Sequence, residues 1–268
     1  MAFSFSMILV PVDFSVNTEV SVRKALEIAD LGKAEIHLFH VETNSDQDHN
    51  ITEKKLKQWK ESIEETIPTI EVSYSIVHNS NVQASIVRYA DILKPDIIII
   101  GKKAEHSWFP FLNTVTPNTL AIESGRAVLT VKPGALHNRI RTLVVAVSDD
   151  VPSCKMETIT ALCRKFRIKV HLVAFLNEEN TTTEFSTTGL LKFYKWVRDT
   201  IHCPVDYAVL QGGNKARAML DYAYKVNADI LLVHPKTETR ISWWNSHISD
   251  VLPAESKVQI LAVQSMLN

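Results

Sequence analysis

The strongest constraint on this chain is that it is written twice. Leu143-Val144-Val145-Ala146-Val147 repeats the apolar run Met7-Ile8-Leu9-Val10-Pro11-Val12, and Val170-His171-Leu172-Val173 repeats Ile36-His37-Leu38-Phe39. Tyr89-Ala90 followed by Asp96-Ile97 returns as Tyr222-Ala223 followed by Asp229-Ile230, 133 positions later in both cases. Ser107-Trp108 comes back as Ser242-Trp243, and Glu123-Ser124, Leu129 and Val131 come back as Glu255-Ser256, Leu261 and Val263. The spacing is close to half of the 268 residues. A repeat of that period means two domains and excludes a solenoid. The expected division is residues 1–134 and 138–268, with a short linker from Pro133 to Asn138.

Inside one unit, strands alternate with helices. The run at 7–12 ends at Asp13, and Val22, Ala25, Leu26 and Ala29 mark one face of the helix after it. The pattern predicts further strands at 35–41, 70–77, 96–100 and 127–131, and helices near 52–66 and 82–93. Gly101 stops the fourth strand and Lys132-Pro133-Gly134 stops the last. Strands apolar on both faces indicate a parallel sheet covered on both sides. With right-handed crossovers, the expected fold class is α/β, with two tandem doubly wound domains of five parallel strands each.

Composition narrows the function classes. Lys and Arg number 29 against 30 Asp and Glu, so no basic surplus marks a nucleic-acid binder. No apolar run approaches the ~18–20 residues of a membrane span. The opening MAFSFSMILV lacks a basic n-region, so no signal peptide and no membrane partner are expected. Cys154, Cys163 and Cys203 are odd in number and lack metal-ligand spacing, which points to buried, reduced thiols and a cytoplasmic location. Seven glycines are fewer than half the usual ~7% of residues, although phosphate-cradling loops depend on glycine.

Common reaction signatures are absent. The chain has no GxxxxGK[ST], no GxGxxG and no G-x-S-x-G elbow, and no cysteine sits in the electropositive setting of a reactive thiolate. No catalytic residue is assigned. His37 and His40 stand three apart on a strand, so they face opposite sides and cannot share a metal. Gly212-Gly213-Asn214 reads as a tight turn with an Asn N-cap, an anion site being the alternative. The segments Ser107-Trp108-Phe109 and Ser242-Trp243-Trp244 have two readings, an aromatic contact surface or a plug on their own domain.

With Val10-Pro11-Val12-Asp13-Phe14-Ser15 at the end of its first strand, the duplicated chain resembles tandem universal stress proteins, the first half more closely than the second. The resemblance implies an adenine nucleotide alpha hydrolase-like fold whose domains pair through their last strands. The matching segments here are Val128 to Val131 and Ile260 to Val263, an internal pair, while association of two chains into a homodimer stays open. It also implies an ATP site in the first half. Asp13 would meet the nucleoside, Pro11 and Val12 the floor, and Val41 the adenine edge. The family's phosphate loop runs Gly, two residues, Gly, nine residues, Gly, then Ser or Thr. Gly101 is present, but Ala104 takes the second glycine position, and a one-residue shift places Asn113 and Thr114 on the Gly-Ser pair with Val115 behind them. Lys102, Lys103 and His106 offer positive charge, while Trp108, Phe109, Pro110 and Phe111 make the loop bulky.

The second half departs further. Ser148 stands where Asp13 does, with Asp149 one place late, and His234 replaces Gly101, so nucleotide is not expected there. Two functions follow from the resemblance. One is a non-enzymatic stress-response protein acting through protein interaction. The other is an ATP-binding stress protein that uses only the N-terminal domain, with slow hydrolysis as the one activity left open.

Overall fold

The computed structural model describes residues 5–29, 34–43, 49–102, 115–147, 152–175, 185–211, 214–239 and 247–264. Ten strands form one sheet: β1 (Met7–Pro11), β2 (Glu35–Glu42), β3 (Glu71–His78), β4 (Ile97–Gly101), β5 (Ala127–Val131), β6 (Thr142–Ala146), β7 (Lys169–Phe175), β8 (Val205–Leu210), β9 (Ile230–Val233) and β10 (Gln259–Ala262). Their order is β3-β2-β1-β4-β5-β10-β9-β6-β7-β8, so each half has the same strand order and the two meet back to back. Every pairing is parallel except β5 with β10, which is antiparallel. In that pair Leu129 stands opposite Leu261, its own counterpart in the repeat. A pseudo-twofold axis therefore passes between these two leucines.

Because the axis crosses the sheet there, equivalent helices fall on the same face. One face carries α1 (Val16–Ile28), α2 (His49–Thr66), α5 (Ser153–Lys165) and α6 (Phe185–Trp196) over a core that includes Val20, Leu56, Ile159 and Phe193. The other carries α3 (Val82–Leu93), α4 (Pro117–Ser124), α7 (Lys215–Lys225) and the single turn α8 (Ile248–Val251) over Ile86, Leu120, Met219 and Ile248. Each core layer runs across both halves without interruption. Alternate strand residues serve the two layers, as with Ile8 and Val10 against Leu9.

Element positions follow the sequence pattern closely, with α2 starting three residues before its expected position. Helix α4 is an addition that the pattern did not supply. Its signals are local, with Pro117 at the first turn and Gly125 in the left-handed conformation (φ 64°) at its end. Asn81 and Asn214 both act as N-caps, accepting from the backbone N–H of Ala84 and Arg217 at 3.0 and 2.9 Å. The N-cap expected of Asn214 is therefore present, while the tight turn expected at Gly212 and Gly213 lies outside the described residues.

A carboxylate ties each half together at the amino edge of the sheet. Asp96 accepts from the N–H groups of Ser6 and Met7 (2.8 and 2.9 Å), and Asp229 from those of Arg141 and Thr142 (2.7 and 2.9 Å). Asp229 also accepts from the Asn138 side chain at the end of the linker. The linker is itself pinned, since a Cβ on Gly134 would lie 2.1 Å from the Glu255 carbonyl oxygen. Asp229→Ala strands three donors and is expected to cost about 1–3 kcal/mol for each one that water cannot reach. Asp96→Ala, at a half-buried position, should cost less. Urea denaturation of the two variants measures both.

Candidate functional site

The carboxyl ends of β1, β2 and β4 form the edge where open α/β sheets take ligands. Pro11, Val12, Asp13, Val41 and Gly101 lie along it, Val115 is fully buried in the core layer of α3 and α4, and Asn113 and Thr114 fall outside the described residues. So do Lys103, Ala104, His106 and the bulky segment from Trp108 to Phe111. β2 overhangs β1: Pro11 pairs with Phe39, the Val12 N–H donates to the Phe39 carbonyl at 2.8 Å, and Val41 projects beyond.

Asp13 holds the start of α1. Its Oδ1 accepts from the Ser15 N–H at 3.0 Å and from the hydroxyl of fully buried Thr18 at 2.5 Å. The Thr18 oxygen in turn accepts from the Asp13 N–H at 3.1 Å. These bonds tie the residues before the helix to its first turn, where Ser15, the residue in the N-cap position, makes no side-chain cap bond.

The next residue, Phe14, sits at φ 59°, a conformation rare for a bulky side chain. This backbone turn directs its ring against His40 (5.0 Å between centroids) and Trp59 (5.8 Å), with Lys55 Nζ 5.2 Å from the ring centre. His40 Nδ1 lies 2.7 Å from the Val12 carbonyl, which fixes the hydrogen on that nitrogen. Burial holds the His40 pKa below its ordinary value, against the upward pull of the Val12 carbonyl, Glu42 and Asp13. The aromatic group seals the first strand end to α2.

Gly101 is required by packing. A Cβ there would lie 2.1 Å from the Asn17 carbonyl oxygen and 2.8 Å from Ser21 Oγ, so α1 presses directly on the end of β4. Lys102, the first positive charge expected for a phosphate, is turned to the other half and forms an ion pair with Asp250 of α8. On the other side of residues 103–114, Asn118 of α4 bonds Thr239 (2.6 Å) and His247 (2.5 Å) of the second half. Both flanks of the candidate phosphate loop are thus fastened across the pseudo-twofold axis.

Beside Val41, the buried Glu42 carboxylate faces His49 Nδ1 at 3.2 Å and His78 Nδ1 at 3.7 Å. Among the described residues no group of three His, Cys, Asp or Glu side chains is arranged to hold a metal. His37 lies on the opposite face from His40, as its spacing requires. It joins a chain in which Glu35 accepts from Ser73 (2.5 Å), Ser73 meets His37 (2.6 Å), and His37 meets Tyr89 (3.0 Å). The second half keeps this arrangement in His171 and Tyr222, 3.2 Å apart.

The equivalent edge of the second half is filled. Lys155 of α5 occupies the place of Thr18, and its Nζ donates to the Ala146 carbonyl at 3.1 Å and to both Glu238 oxygens at 2.8 and 2.7 Å. Glu238 also accepts from the N–H of His234, the residue in the Gly101 position, at 2.7 Å. The Lys155 side chain is 3% exposed and that of Glu238 17%, so this pair is shielded from water. Ser148 and Asp149 lie outside the described residues, as does the segment Ser242-Trp243-Trp244. The filling pair escaped sequence reasoning because its members lie 83 residues apart.

Removing one partner of this pair leaves a shielded charge. Lys155→Met is expected to cost about 3 kcal/mol, the lower end for a buried pair, and Lys155→Met with Glu238→Leu should recover most of it. A urea double-mutant cycle reads the difference. The histidines set a second expectation. Burial lowers the pKa of His37, His40, His171 and His234 from 6.5, so below that pH the unfolded chain binds more protons than the folded one. Stability therefore falls on acidification, which a urea midpoint followed from about pH 7.5 to about pH 5.5 will register.

Residues 4–121 match the family model described as the universal stress protein family. Among solved structures, a universal stress protein from Archaeoglobus fulgidus superposes with a TM-score of 0.64 at 15% identity, covering 98% of this chain and 97% of that one. A functionally unknown protein from Pseudomonas aeruginosa gives 0.64 at 16%, covering 98% and 93%. The cytoplasmic domain of a prokaryotic cation chloride cotransporter gives 0.57 at 12%, covering 96% and 95%. No curated protein matches the chain in sequence. At such identities the structural likeness establishes the fold over both halves, while the family match rests on the first. The family model covers residues 4–121, in the first half, and over those residues the chain is similar to the universal stress protein family.

Proposed function

We propose that this is a non-enzymatic stress-response protein of the cytoplasm that acts by binding a partner protein, its second half serving as the internal pairing partner of the first. The observation that carries this reading is that, among the described residues, the charged groups at the two strand-end edges are already engaged within the protein. Lys102 is bound to Asp250, and Lys155 with Glu238 fills the second edge. Asp13 is committed in part to Ser15 and Thr18. A bare strand-end edge attracts an anion through unpaired donors, and these side chains remove that attraction.

A second reading is favoured by Pro11, Val12, Asp13, Val41 and Gly101, which stand at the ends of neighbouring strands. There Mg-ATP would bind in the first half alone, with Asn113 and Thr114 completing the site and slow hydrolysis the most it would support. Calorimetric titration with Mg-ATP decides between the two. The expected result is no heat up to about 1 mM nucleotide, an affinity weaker than about 4 kcal/mol. Micromolar binding at one site per chain, lost in Asp13→Asn, would establish the second reading. Asn is the control of choice because it keeps the helix-start hydrogen bonds that Ala removes.

A further inference from the structure

The two outer strands of the sheet, β3 and β8, are equivalent by register, yet their outer edges are finished differently. Val72 and Tyr74 stand beside Ile36 and Leu38 of β2, and Val205 and Tyr207 stand beside Val170 and Leu172 of β7. Along such a strand, alternate residues turn their N–H and C=O groups toward the sheet and away from it. The Glu71 N–H donates inward to the Ala34 carbonyl at 3.2 Å, so Val72 and Tyr74 point outward. The Val170 N–H donates to the Pro204 carbonyl at 2.8 Å, so Val205, Tyr207 and Val209 point outward.

In the first half, α2 clamps the edge. The Val72 N–H donates to the Glu64 carboxylate at 3.1 Å, and Lys60, ion-paired with Glu64 at 2.7 Å, donates to the Val72 carbonyl. The second half has lost this clamp. Buried Leu56 and Ile63 of α2 match buried Leu190 of α6 and Val197, the first residue of the π-helical turn Val197–Ile201 that continues α6. Both pairs are seven apart in one core layer, which puts Tyr194 in the place of Lys60 and Arg198 in the place of Glu64. The Tyr194 ring meets the Tyr207 ring edge-on at 5.8 Å, and the Arg198 guanidinium lies 5.7 Å from the Tyr194 ring centre and pairs with Asp199 at 2.6 Å. Among the described residues, no side chain bonds to the outward backbone groups of Val205, Tyr207 or Val209. On the same face Tyr207 is 57% exposed, Val209 44% and Leu191 of α6 48%.

We propose that two copies of the chain associate through β8, antiparallel and about a twofold axis at Tyr207, so that their sheets become one. An open edge with exposed apolar residues is a template for another strand, and β8 is complementary to itself. Pairing about Tyr207 sets Tyr207 opposite Tyr207, and Val205 of one copy opposite Val209 of the other. Within Val205–Leu210 this register engages all three outward residues of each copy, each donating one bond and accepting one. On the opposite face Asp206 meets Ala208, so no like charges stand directly across from each other. Asp206, the one charge in the strand, is already paired with Lys169 of β7 at 2.5 Å. Leu191 and Tyr194 widen the contact on the α6 face, where a bare strand pair would be narrow. β3 does not offer the same template, because Lys60 and Glu64 already take the outward groups of Val72.

The test uses the full-length chain in reducing buffer. Its mass is measured by sedimentation equilibrium over concentrations reaching about 100 μM. The expected result is a rise from one chain of 30.2 kDa toward two, with slower hydrogen exchange at high concentration in the peptide spanning β8 and not in that spanning β3. Tyr207→Lys sets two like charges together on the axis and should weaken association by about a hundredfold or more. Tyr207→Glu should do the same alone, and an equal mixture of the two variants should pair again. A wild type that stays a monomer, or a dimer whose slowed exchange lies outside β8, would overturn the proposal. So would a dimer unchanged by Tyr207→Lys, or a mixture of folded variants that stays monomeric. Mass and exchange of the wild type decide the matter even if a variant fails to fold.

Discussion

Pairing of β5 with β10 governs the rest of the molecule. Each half, taken alone, would end in an open strand with a row of unpaired N–H and C=O groups, an invitation to pair with another chain. Joining the two antiparallel about Leu129 and Leu261 satisfies both edges at once. It also sets which helices share a face, and so lets both core layers run continuously from one half into the other. The short linker is compatible with this geometry because Gly134 permits the close approach to Glu255. The sheet still has two edges, β3 and β8, at its far ends.

At the strand ends of the first half, residues of a ligand-site pattern also hold up the fold. Gly101 permits α1 to rest against β4, Asp13 starts α1, and the Phe14 turn seals α2. Retention of such residues is therefore weak support for nucleotide binding, since packing alone accounts for them. The informative positions are those that packing does not require. Lys102 is one, and its charge is neutralised across the axis by Asp250.

Much of the fold was legible in the sequence because its signals are local and repeated. Apolar strand runs such as Ile97-Ile98-Ile99-Ile100, the Asn214 cap and the duplicated Tyr-Ala and Asp-Ile pairs each announce an element or its equivalent. The candidate site was legible only as a set of positions. What those side chains do depends on partners distant in sequence, as with Lys102 and Asp250, which lie 148 residues apart. No periodicity reports such a contact. The short helix α4 was missed for a related reason: at eight residues it is too brief for a clear apolar stripe, and only its Pro117 and Gly125 ends mark it.

The two halves have diverged in opposite directions from one arrangement. At equivalent places in α1 and α5, the first half has Thr18, a small hydroxyl that serves Asp13, and the second has Lys155, a long cation that serves Glu238. The first choice sets no cation at the start of its helix, while the second brings in an ion pair and His234. A shielded ion pair adds little net stability over an apolar filling, because desolvation offsets much of the attraction. Its clearest effect is to occupy space and satisfy the Ala146 carbonyl and the His234 N–H, two groups that an empty edge would leave to water or to a ligand. The second half thus completes its own edge from within, and its polar residues at Thr239, His247 and Asp250 are directed to the flanks of the first half's loop. The described residues that flank positions 103–114, Lys102 and Asn118, are therefore both held by the second half.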